Sequence, residues 1–102
     1  MSVDKVEISN QELRVMLEVG YVLREAAKFD QAETLFRGVM QFLPDSDVPQ
    51  VGLGTVYLQR GDFQTAREIC QKALETNPTS VYARVHYAEA LLFAQEREKA
   101  EI

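Results

Sequence analysis

In this 102-residue chain, one histidine, one cysteine and a Gly-x-Gly are the features most able to carry chemistry. His86 has no second imidazole to join, so neither a histidine metal cluster nor a Ser–His–Asp array can be assembled around it. It reads as a partly exposed helix residue or a contact within a groove. Cys70 stands where a helix calls for a bulky core residue, and a buried free thiol packs as a small hydrophobe instead of attacking. "VGLGT", Val51 to Thr55, holds Gly52 and Gly54, but a dinucleotide fingerprint also needs a preceding strand and a third glycine. It lies within a helical pattern, where Gly54 has a packing reason of its own. The 16 Asp and Glu are spread along helix faces and single out no acid–base pair. The expectation is no enzyme, no metal and no cofactor.

Composition narrows the partners. The apolar fraction of 46% supports one folded domain, and 11 Lys and Arg against 16 acids leave a net charge of −5. No basic cluster offers a footprint for a phosphate backbone, so nucleic acid is disfavoured. No apolar run approaches the length that crosses a bilayer, which speaks against membrane insertion. "MSVDKVEISNQE" carries early acids and no apolar stretch, unlike a signal peptide. With a single cysteine, these features predict a cytoplasmic protein.

The elements that would position any site are set by a repeat. "AKFDQAETLFRGVMQFLP" (Ala27 to Pro44) and "GDFQTAREICQKALETNP" (Gly61 to Pro78) align at a spacing of 34 residues. The same period links Gly20, Gly54 and Ala88, then Leu23, Tyr57 and Leu91, then Ala32, Ala66 and Ala100. A fixed period of this length decides the architecture before any local feature does. Each unit reads as two helices. Pro49 suits a first turn, Gly61 a left-handed stop, Asp62 an N-cap, and Asn77-Pro78 an ending. The spacing predicts helices near 11–26, 29–42, 47–60, 63–76 and 81–94, with a stub from Arg97. Gly54→Ala is expected to be tolerated, because Ala88 occupies the same place one repeat later.

On these residues the chain resembles the tetratricopeptide repeat (TPR) family, whose unit is a 34-residue helix–turn–helix with small residues at the helix crossing and a proline after the second helix. Departures exist: Met16, Gln50 and Arg84 stand where the family often has an early Trp, and Val39 replaces a customary Ala. The resemblance implies an all-α solenoid: a lead-in over 1–10 and a repeat domain over 11–102, with repeats near 13–46, 47–80 and an incomplete 81–102. "GLG" followed by "GDFQTA" is also similar to the central repeat of the cytoplasmic chaperones of bacterial type III secretion. A general adaptor, a self-assembling unit and a fragment of a larger scaffold stay open.

The resemblance also implies a site. In this family the first helix of each pair lines a concave groove that receives a peptide or helix. By register that groove presents Arg14, Leu17, Tyr21 and Arg24, then Val48, Val51, Thr55 and Leu58, then Tyr82, Val85, Glu89 and Leu92. Where relatives that bind acidic chaperone tails carry cations, this chain has Leu17, Tyr21, Gly52, Tyr82 and His86. The expected ligand is therefore a protein or peptide with an apolar helix or extended apolar segment. An incomplete third repeat would leave Tyr87, Ala88 and Leu91 short of cover, and terminal repeats normally need a polar cap. A homo- or hetero-oligomer through that C-terminal edge is expected.

Overall fold

The computed structural model describes residues 8–101, with side chains through residue 96. Of the expected lead-in, residues 1–7 lie outside the described residues. Five helices follow one another among those described: α1 (Asn10–Glu25), α2 (Phe29–Phe42), α3 (Asp47–Arg60), α4 (Phe63–Thr76) and α5 (Val81–Glu101). Short connections fold each helix back on its predecessor. The pairs α1–α2 and α3–α4 then stack, with α5 against α4 and α3. The stack is elongated, 52 × 30 × 22 Å, as helix pairs added side by side along one axis produce.

Local chemistry sets the helix ends. Ser9 accepts the Glu12 N–H at 3.1 Å while Glu12 accepts the Ser9 N–H at 3.2 Å, a reciprocal box that starts α1. Ser46 caps α3 by accepting the Val48 N–H, and Asp62 caps α4 by accepting that of Thr65. Gly61 ends α3 at φ 87, the left-handed conformation that glycine adopts without penalty. Ala27 holds the same repeat position and is forced to φ 60, where its Cβ is strained. The third occurrence of this position is Gln95, a good helix former, and there is no stop. The expected break after Ala94 and stub from Arg97 are therefore corrected: α5 runs unbroken from Val81 to Glu101.

The core is built around one ring. Phe36 on α2 is fully buried with Ala32, Leu53 and Val56. A Cβ on Gly20 would come within 2.8 Å of its ring, and one on Gly52 within 2.6 Å. Both glycines thus exist because Phe36 fills the space between α1 and α3. In the second repeat Gly54 faces Cys70, with a virtual Cβ 2.8 Å from its sulfur. Alanine at Gly54 would press on that thiol. Ala88 is no precedent for the exchange, because it is exposed, whereas Gly54 is enclosed against Cys70.

A polar lock joins α2 to α3. Arg60 donates to Glu33 at 2.8 Å and to Asp30 at 2.5 Å, while the Tyr57 hydroxyl donates to Glu33 at 2.7 Å. Burial acts to raise the Glu33 carboxyl, but hydrogen bonds from Arg60, Tyr57 and Arg37 outweigh it and hold the group at about 2.

Two stability measurements follow. Ala27→Gly should stabilise the chain by about 1 kcal/mol in urea denaturation, relief of left-handed strain exceeding the added freedom of the unfolded chain. Glu33, depressed when folded, adds stability above its ordinary value of 4.5 that fades as pH falls toward 2. Glu33→Gln should therefore cost about 1–2 kcal/mol at neutral pH and flatten that acid limb.

Candidate functional site

The first helices of the pairs, α1 and α3, and then α5 share one face of the stack. Tyr21 of α1 and Tyr82 of α5 reach toward each other over α3, their hydroxyls 3.1 Å apart. Burial, and then the bond to Tyr21, push the Tyr82 phenol above the ordinary tyrosine range. One turn beyond Tyr21, the Arg24 guanidinium lies 5.2 Å from that ring's centroid and donates to Thr55 Oγ1 at 2.7 Å. Thr55 in turn donates to the Gly52 carbonyl at 2.7 Å, which leaves its oxygen free to accept from Arg24. Three helices are thus braced by two side-chain contacts.

Beyond this brace opens a cleft of ≈ 480 Å³. Leu58, Phe63 and Phe93 form its apolar wall; Arg24, Thr55, Gln59, His86 and Glu89 contribute its polar groups. The Phe63 and Phe93 rings stand 5.9 Å apart, while His86 meets Tyr82 edge-on at 4.9 Å. His86 Nδ1 lies 3.1 Å from Glu89 Oε1 but out of line for a hydrogen bond, so a buried nitrogen is left without a partner. Such a mixed, concave surface suits an apolar side chain flanked by one or two polar groups.

The structure brings only part of the expected groove together. Arg24, Thr55, Leu58 and Glu89 line the cleft, and Tyr21 with Tyr82 forms the brace at its end. Leu17 packs on the cluster around Phe36, and Val48 is half-buried. Val51 is enclosed with Ala73 and Ala83, which takes it out of the groove surface. Arg14, Val85 and Leu92 are exposed away from the cleft walls. Phe63, Gln59 and Phe93 were not anticipated. The stripe Tyr82, His86, Glu89, Phe93 has helical spacing, and that pattern held the missing signal. At the C-terminal edge Tyr87 is half-buried, while Ala88 and Leu91 are exposed.

The residues that raised the question of chemistry have structural places. Gly52 and Gly54 lie within α3 facing Phe36 and Cys70, so their backbone forms no phosphate loop. Burial, with a smaller contribution from Glu89, pushes the Cys70 thiol up to about 11. Among the described residues, no group of three or more His, Cys, Asp or Glu could hold a metal ion.

Residues 57–102 match a tetratricopeptide repeat family profile. Among solved structures, the type III secretion translocator chaperone SycD of Yersinia enterocolitica, in an alternative dimer, superposes with a TM-score of 0.74. It is 22% identical, and the match covers 94% of this chain and 71% of that one. The fold is that of a tetratricopeptide-repeat protein. No curated protein matches the sequence significantly. No helix among the described residues is long and apolar enough to cross a membrane.

The TPR packing gives Cys70 a measurable signature. At pH 8 a chromogenic disulfide should modify it about 100-fold more slowly in the folded chain than in urea, because the thiol is both enclosed and protonated.

Proposed function

We propose that the concave face of this TPR chain holds an apolar helix or extended apolar segment of another protein, as a small cytoplasmic chaperone or assembly adaptor. The observation that carries this reading is the cleft walled by Leu58, Phe63 and Phe93. Two aromatic rings face an open volume that can take a ligand's anchoring side chain, with Arg24, His86 and Glu89 placed to orient it. Likeness to a translocator chaperone supports the chaperone version and extends the proposal to a type III secretion subunit as cargo. The functional unit would comprise repeats near 13–46 and 47–80 and the partial repeat from 81.

A second reading rests on a separate observation. Leu91 is 40% exposed and Leu92 54%, with Ala88 bare beside them. Self-association through this C-terminal edge would cover apolar surface that water now meets.

Co-purification from the native host followed by mass spectrometry identifies the ligand, and titration against that protein tests the site. Phe93→Ala or Tyr82→Ala should each weaken binding by about 2 kcal/mol, as truncated aromatic anchors do. Variants that keep wild-type helical content and bind undiminished would place the ligand on another surface. Light scattering over a dilution series addresses the second reading: an oligomer that Leu91→Glu dissolves supports it.

A further inference from the structure

The face of α1 opposite Tyr21 and Arg24 carries a second unfilled surface, independent of the groove. Val15, Val19 and Val22 lie on one stripe of α1 and are 50%, 44% and 66% exposed. Advanced by one repeat of 34 residues, they become Pro49, Leu53 and Val56, all enclosed. Advanced again, they become Ala83, Tyr87 and Ala90, of which both alanines are fully buried. What covers these later copies is the second helix of the preceding pair. Ala32 and Phe36 of α2 pack on Leu53 and Val56, while Ala73 of α4 packs on Ala83. The stripe on α1 continues that same stacking interface to the edge, where no preceding helix is described.

Register also states the chemistry of the missing helix. Phe36 presses on Gly52, whose counterpart on α1 is Glu18, an exposed carboxylate beside the valines. Where α2 places an aromatic ring against glycine, a covering helix must instead answer an acid. Exposed Glu12 lies six residues nearer the start of the same helix, where it accepts the Ser9 N–H. Beyond the stripe, α2 leaves a hollow of ≈ 460 Å³ lined in part by Leu23, Leu35 and Gly38, and a Cβ on Gly38 would meet nothing within 4 Å. A helix can therefore approach α2 closely there.

We infer that the N-terminal edge of the solenoid docks an amphipathic helix from a partner protein, seated as the second helix of a preceding repeat. This helix carries a small residue at the Ala32 position, to lie on Val19 and Val22, and an Arg or Lys at the Phe36 position, to pair with Glu18. The apolar stripe gives affinity and the carboxylate gives selectivity.

The probe is a blocked, fluorescein-labelled peptide with the sequence of residues 28–44, in two forms: as it stands, and with Phe36→Arg. Polarisation titrations use the full chain. The arginine form should bind about tenfold more tightly than the parent peptide, and Glu18→Gln should erase that preference. Val19→Glu should abolish binding, whereas the groove variant Phe93→Ala, at a ring that pairs with Phe63 of α4, should leave it intact, which separates this edge from the concave site. The inference is overturned if neither peptide binds, if Val19→Glu has no effect, or if Phe93→Ala removes binding. It is equally overturned if the chain forms a dimer that Val19→Glu dissolves, since the occupant is then a second copy.

Discussion

Everything in this fold turns on the volume of one phenyl ring. Phe36 occupies the space between α1 and α3, and it does so only because Gly20 and Gly52 present no Cβ toward it. An added methyl at either glycine would sit closer than 3.0 Å to the ring, so crowding there moves helices as well as side chains. The ring therefore sets how near α1 can lie to α3. That distance is what lets Arg24 reach Thr55 and brings α1 into range of α5 through Tyr21 and Tyr82. In the second repeat the smaller Cys70 against a single glycine does the equivalent work. Packing of the convex layer and shape of the concave face are consequences of one choice of residue.

Much of this was legible in the chain. The 34-residue period, the cap at Asp62, the stop at Gly61 and the ending at Asn77-Pro78 place four helices nearly to the residue, because each signal is local and has a single physical meaning. The run-on of α5 was legible too, in Gln95, had the turn position been followed through all three repeats. The groove was harder to read. Helix α3 is apolar almost all round, and spacing alone cannot say which apolar stripe faces neighbours and which faces solvent. Val51 fell on the wrong side of that ambiguity, enclosed by Ala73 and Ala83. Phe63 belongs to the second helix of its pair, so a rule confined to first helices had no means of finding it.

The two faces of α1 show how a repeat protein divides labour. One side carries Tyr21 and Arg24, whose polar tips are spent on Tyr82 and Thr55 and so brace the curve of the stack. The other carries valines that later repeats bury as Pro49, Leu53 and Val56. Nothing in α1 alone distinguishes a surface that is finished from one that is waiting. Only comparison with its own copies along the chain does so, since identical register positions meet different surroundings.

This coupling bears on what a ligand would feel. Arg24 both braces α1 to α3 and contributes to the cleft, and Tyr82 both meets Tyr21 and packs on His86 at the cleft's edge. A ligand group that recruited the guanidinium would have to share it with Thr55 and with Glu25, which already accepts from it at 2.9 Å. Binding that draws Arg24 away would loosen the brace, and binding that leaves it in place would tighten the stack by filling the cleft beside Phe63 and Phe93. The second course costs no buried hydrogen bond, and an apolar anchor achieves it. Under the proposed binding, occupancy of the cleft and rigidity of the solenoid would therefore rise together, through the contacts that give the concave face its shape.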